Sequence, residues 1–195
     1  GSMNGPGSLW LPGLTHIPSD NSDERPPGAE VDLLVIHNIS LPPGEFGGDY
    51  IEALFLNRLD PGAHPYFVEI AHLQVAAHIL IKRDGSATQF VALDRRAWHA
   101  GLSSFCGREQ CNDFSVGVEL EGSDDTPFSA AQYASLGTVT HRLRQLFPAI
   151  GPDRIVGHSD IAPGRKTDPG PLFDWDRYRR MIAEEQPDLA NIRKT

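Results

Sequence analysis

Residues 114–121 read Phe-Ser-Val-Gly-Val-Glu-Leu-Glu. Apolar residues alternate there with small or polar ones. A period of two puts Phe114, Val116, Val118 and Leu120 on one face of a strand. Ser115, Gly117, Glu119 and Glu121 take the other. One face is fit for a core and the other can carry chemistry. Upstream, Val31–His37 (VDLLVIH) is a short β-branched run ending in a polar residue, which predicts a buried central strand. Ala76–Lys82 and Ala87–Ala92 are strand-like and flank Arg83-Asp84-Gly85-Ser86, whose Asp-Gly pair signals a hairpin. Arg154–His158 predicts a further short strand, leading into a loop over Ser159–Pro171.

Helices are legible between these strands. After a Pro/Gly loop at Leu41–Gly48, Asp49–Leu59 has Ile51, Leu54, Phe55 and Arg58 at helical spacing. Residues 60–74 read as irregular. Ser129 with Gln132 three residues on forms a capping box that opens a long helix. Its inward stripe is Tyr133, Leu136, Thr140, Leu143 and Phe147, and Pro148 ends it. Asp174 can cap a last helix running to about Glu185, with Trp175, Tyr178 and Ile182 inward. The expectation is one mixed α/β (α+β) domain: a central mixed sheet flanked by helices, over residues 31–186. Residues 1–30 read as a tag scar (Gly-Ser-Met) followed by an extended Pro/Gly-rich segment. Residues 187–195 read as a tail.

A chain of 195 residues buries roughly 70% of its unfolded surface and needs no disulfide staples. The net charge of −9 and the lack of a Lys/Arg block argue against nucleic acid or an anionic membrane as partner. No apolar run approaches the ~20 residues of a membrane span, and residues 4–30 lack an apolar signal core. A cytoplasmic location is expected. The two cysteines, Cys106 and Cys111, read as reduced thiols rather than a framework.

Among eight histidines, His37 and His158 each sit where an apolar strand gives way to a loop, the place from which a scaffold aims side chains into a cleft. Asp168 follows ten residues after His158. Two imidazoles and a carboxylate with an open fourth position match catalytic rather than structural zinc. Spacing alone leaves Asp160 as a rival ligand and His64, His72, His78, His99 and His141 as further candidates. His141 is expected at the surface of the long helix, and His78 as a donor behind a ligand. Glu119 is the leading general base, since Gly117 leaves its face uncrowded; Glu121 is its rival. Lys166 offers a cation two residues before Asp168.

The stretches LLVIHNISLPPGEFGG (33–48), LDPGAHPYF (59–67), AAHILIKRDG (76–85), RAWHAG (96–101), CNDFSVGVELEG (111–122), GHSDIAP (157–163), RKTDPGP (165–171) and FDW (173–175) resemble the AmpD-type anhydro-muramoyl-alanine amidases. These are part of a wider fold family with phage amidase lysozymes and peptidoglycan recognition proteins. The resemblance runs from about residue 31 to 180. It implies one zinc per chain held by His37, His158 and Asp168, with Glu119 as base and Lys166 as oxyanion partner. It places Asn38, Trp98 and His99 in the sugar and peptide groove. It implies hydrolysis of the amide between N-acetylmuramic acid and L-alanine in a small soluble anhydro-muropeptide, with no obligate protein partner. Gln74 and Gln110 stand where relatives often carry arginine, which predicts lower or differently read substrate affinity; Gly164 stands where glutamate is common, and none of the three falls on the metal ligands or the catalytic pair. A binding module without catalysis, an exported amidase acting on intact wall and a purely structural zinc protein are the competing expectations.

Overall fold

The computed structural model describes residues 7–184. In chain order the elements are β1 (Thr15–His16), β2 (Ser22–Glu24), β3 (Leu33–Ile39), α1 (Tyr50–Phe55), α2 (Phe67–Ile70), β4 (Ile79–Ile81), β5 (Ala87–Gln89) and β6 (Arg95–Ala97). Then come β7 (Ser104–Phe105), β8 (Arg108–Glu109), β9 (Ser115–Glu121), α3 (Ala130–Leu146), β10 (Ile155–Gly157), α4 (His158–Ile161) and α5 (Trp175–Ala183). Six strands form one sheet in the order β1-β5-β4-β9-β3-β10. Its pairings are parallel except for the β4–β5 hairpin. Gly85, at φ +86, supplies the left-handed residue that the Asp-Gly turn requires. The expected mixed α/β architecture is the observed one.

The alternation of β9 decides the layering. Val116, Val118 and Leu120, with Leu34 and Ile36 of β3, pack against Tyr133, Leu136, Val139 and Leu143 of α3 and Tyr178 and Ile182 of α5. Helix α3 begins where its capping box predicts: Ser129 Oγ accepts from the Gln132 amide, and Gln132 Oε1 accepts from the Ser129 amide, both at 3.1 Å. Such a cap contributes about 1 kcal/mol. Thr140 and Tyr178 share a 2.6 Å hydroxyl bond that ties α3 to α5. A second cluster joins Ile51, Leu54 and Phe55 of α1 to Leu80 and Phe90.

Several expectations need correction. Strand β3 runs two residues beyond His37, which is therefore an interior strand residue. Strand β10 stops at Gly157; His158, expected to end the strand, opens α4, which runs into the stretch expected to be loop. Phe114 precedes β9 and turns into a different cluster, with Leu33, Val35 and Cys111. Helix α1 ends at Phe55, leaving Arg58 exposed, and residues 67–70 form a short helix. His141 is half-buried and its Nε2 reaches the Met181 carbonyl at 3.1 Å. Helix α5 ends at Ala183; Glu185, the 186 boundary, the tail and the Gly-Ser-Met scar lie outside the described residues. Both cysteines are free thiols, Cys106 exposed and Cys111 buried.

The segment before residue 31 is more than an extended lead. It adds β1 to the sheet edge and pairs β2 with β6. It is held by polar bonds: the Asn21 amide donates to the Phe55 and Val75 carbonyls, and Arg25 donates to the Leu93 and Asn112 carbonyls. Leu11 enters the core, Leu9 and Leu14 pack against it and Ile17 packs against the second cluster, but at spacings that match neither a helix nor a strand period.

Candidate metal centre

Register builds the site. In the parallel β3–β9 pair His37 lies opposite Glu119, and in β3–β10 Gly157 lies opposite Ile36. The next residue, His158, therefore lands beside His37. Asp168 arrives from the following loop, whose main chain is tied back by the Ser159 amide donating to the Asp168 carbonyl at 3.0 Å. His37 Nδ1, His158 Nδ1 and Asp168 Oδ2 form a triangle with edges of 3.0, 3.2 and 3.2 Å. Among the described residues they are the one group of three or more metal-ligating side chains so placed.

The other ring nitrogens of both histidines are engaged. His158 Nε2 is 2.9 Å from the Ala100 carbonyl, which can only accept, so that nitrogen donates. His37 Nε2 is 2.9 Å from His99 Nδ1. In the tautomer that also protonates His37 Nε2, both Nδ1 atoms present lone pairs to each other and to a carboxylate oxygen. Three acceptors facing one another at about 3 Å repel unless a cation lies among them. Ligands at the ~2.0–2.1 Å of a tetrahedral zinc stand ~3.3 Å apart, close to the observed edges. The donor set fits that metal.

Glu119 lies beside the triangle. Its Oε1 is 3.9 Å from His37 Nδ1 and is a buried oxygen without a hydrogen-bond partner. Burial pushes its carboxyl well above the usual range, the Asp168 charge pushes the same way, and Lys166 opposes both. Burial also raises Asp168, but the adjoining His158 and His37 imidazoles outweigh this and hold it below the usual range. Burial keeps His37 low, against the pull of Asp168. Glu121 is placed differently: it accepts from the Gly47 amide at 2.8 Å and the Arg83 amide at 3.0 Å. Asp160 is exposed and caps α4 by accepting from the Gly157 amide at 2.8 Å. Neither rival reaches the triangle's group.

The centre opens into a cleft of about 830 Å³, lined in part by Asn38, Trp98, His99, Glu119, Lys166 and Asp168. Lys166 is exposed and faces this cleft. Trp98 is half-buried, its indole N–H donating to Asp23 at 3.2 Å. Asn38 uses its amide N–H groups on Asp124 Oδ1 (2.7 Å) and the Pro169 carbonyl (3.0 Å). Asp124 also accepts from Thr167 at 2.5 Å, so one carboxylate clamps the loop that carries Lys166 and Asp168. A side chain at Gly170 would strike Asp124, which is why that left-handed position is glycine. Gln74 and Gln110 are both exposed. His78 is buried, with Nδ1 accepting from the Gly117 amide, and makes no bond to a triangle residue.

Sequence reading missed Asp124, Ser115 and the Ala100 carbonyl. One signal was available. A glycine inside a strand marks a close approach, and the approach at Gly117 is the His99 ring, which a Cβ there would overlap. The face is filled by an imidazole, contrary to the uncrowded surface expected.

The N-acetylmuramoyl-L-alanine amidase family model matches residues 27–171. The 1,6-anhydro-N-acetylmuramyl-L-alanine amidase AmpD of Enterobacter cloacae is 58% identical over 173 residues, covering 89% of this chain and 92% of that protein. The protein of the same name from Escherichia coli is 56% identical over 176 residues, 90% and 96% of the two chains. A crystal structure of a selenomethionine AmpD derivative superposes with a TM-score of 0.87 at 56% identity, over 89% of this chain and 96% of that one. Escherichia coli AmiD, solved with the substrate anhydro-N-acetylmuramic acid-L-Ala-D-gamma-Glu-L-Lys, gives a TM-score of 0.60 at 26% identity, over 88% and 65%. With the match running from before β3 to just past Asp168, the chain belongs to the N-acetylmuramoyl-L-alanine amidase family, in its AmpD-type branch.

Proposed function

We propose that this chain hydrolyses the amide between 1,6-anhydro-N-acetylmuramic acid and L-alanine in soluble muropeptides, using zinc held by His37, His158 and Asp168. The observation that carries the reading is the triangle of His37 Nδ1, His158 Nδ1 and Asp168 Oδ2, with edges of 3.0–3.2 Å, beside the unpartnered oxygen of Glu119. Bound there, zinc supplies Lewis acidity that acidifies water and polarises a carbonyl. Glu119, with its raised proton affinity, takes a proton from the attacking water and returns it to the departing alanine nitrogen. The Lys166 ammonium faces the same cleft and meets the oxygen that becomes negative. Asn38 and Trp98 line the wall on which sugar and peptide rest, the indole offering its ring because its N–H is engaged with Asp23.

Among the described residues no helix is long and apolar enough to cross a membrane. The relatives' anhydro-muropeptide chemistry supports a place in cytoplasmic peptidoglycan recycling. The test is mass-spectrometric product analysis with anhydro-muramoyl-tripeptide, before and after chelation. Anhydro-muramic acid plus free tripeptide, lost on chelation and restored by zinc, is expected. Cleavage within the peptide, or activity indifferent to chelation, would overturn the reading. Faster release from intact sacculi than from the soluble substrate would move it to an exported wall amidase.

A further inference from the structure

We infer that His99 and Ser115 form an outer hydrogen-bond relay that positions the ligand His37, and that His99 is a positioning residue rather than a substrate contact. The inference rests on the proposed zinc site and extends it. A metal-bound imidazole is oriented by what its second nitrogen donates to, commonly a carboxylate, a backbone carbonyl or water. His158 follows that pattern through the Ala100 carbonyl. His37 does not: its Nε2 meets Nδ1 of another imidazole at 2.9 Å.

The direction of the relay follows from the chemistry. With zinc on Nδ1, His37 carries its proton on Nε2. His99 must then accept at Nδ1 and carry its own proton on Nε2. That proton faces Ser115 Oγ at 3.0 Å, on a serine with no exposure. Both nitrogens of His99 are thereby engaged, and none is left to bind substrate. A neutral imidazole is a weaker acceptor than a carboxylate, and the second bond to serine polarises it and compensates in part. The ring is held edge-on to His37, with centroids 5.1 Å apart at 84°. Gly117 makes the room: any side chain there would overlap the His99 ring. Ser115 and Gly117 are thus explained together, as two residues of one face of β9 shaped around His99.

The test uses the full chain stripped of metal and titrated with zinc against a fluorescent chelator. His99→Phe keeps a ring over Gly117 and removes the acceptor; it is expected to weaken zinc binding by about 10–100-fold, the range for outer-shell partners. Ser115→Ala should weaken it by a smaller factor. KM for anhydro-muramoyl-tripeptide at saturating zinc should not change in either. Nitrogen-15 NMR of the zinc-loaded wild type should show both His37 and His99 protonated on Nε2, a readout that loss of packing cannot mimic and that stands even where His99→Phe does not fold. A His99 protonated on Nδ1, or variants that bind zinc like the wild type but with raised KM, would overturn the relay. Wild-type protein that binds no zinc would overturn the proposed function itself; zinc binding that the two variants match overturns the relay alone.

Discussion

The two faces of the central sheet are built from the same strands and differ in what they demand. Toward α3 and α5, β3 and β9 present Leu34, Ile36, Val116, Val118 and Leu120. Toward the cleft they present His37, Ser115, Gly117 and Glu119. The helix face needs volume and apolarity, and many side chains supply both. The cleft face needs particular atoms within tenths of an ångström of one another, which a rigid parallel register provides. Damage to the first face should therefore appear as stability, and damage to the second as metal and turnover.

The largest effects should come from the triangle. His37→Ala, His158→Ala and Asp168→Ala should each lose stoichiometric zinc and activity together, measured by metal analysis and product formation. Asp160→Ala should keep both and lose only a helix cap. The reverse pattern for the two aspartates would transfer the third ligand to Asp160.

Glu119 and Glu121 sharpen the comparison within one strand, because they are the same residue two positions apart. Glu119→Gln should retain zinc and fold while kcat falls by at least ~10²-fold. Glu121→Gln should leave kcat nearly intact and cost about 1–3 kcal/mol of stability, since an amide N–H₂ then faces the Gly47 or Arg83 N–H. Steady-state kinetics beside denaturant melts separate the two. A kcat loss from Glu121→Gln equal to that from Glu119→Gln would erase the distinction drawn here.

Lys166→Ala should keep zinc and KM and lose roughly 10²–10³-fold in kcat, as for removal of an oxyanion donor. Lys166→Arg should recover only part of this, a planar guanidinium being a poor substitute for a compact ammonium. A raised KM with near-normal kcat would place Lys166 in ground-state binding instead.

The smallest effect on the cleft should come from the other face. Leu136→Ala, fully buried on α3, should cost about 2–5 kcal/mol of stability. The folded variant should still bind zinc with wild-type affinity and still gain thermal stability on zinc addition, because a ligand that binds only the folded state stabilises it. Altered zinc affinity in this variant would show that the two faces are coupled through the sheet.

Period, caps and turns were readable along the chain: the alternation of 115–121, the Ser129/Gln132 box and the Asp84-Gly85 turn are local patterns that local backbone geometry enforces. They determined a mixed α/β domain. Family motifs singled out Glu119 and Asp168, whereas spacing alone left Glu121 and Asp160 open. Only the tertiary structure decides what each of these carboxylates touches. Register between strands 82 residues apart in sequence leaves no local trace, yet it puts His37 opposite Glu119. The same holds for the N-terminal segment, attached by Asn21 and Arg25 through polar bonds, and for His99, whose ring reaches His37 across Gly117. Local sequence specifies what each segment can be. Which polar atoms meet is specified by the packing of distant segments, because a hydrogen bond or a ligand contact requires its partner within about 3 Å.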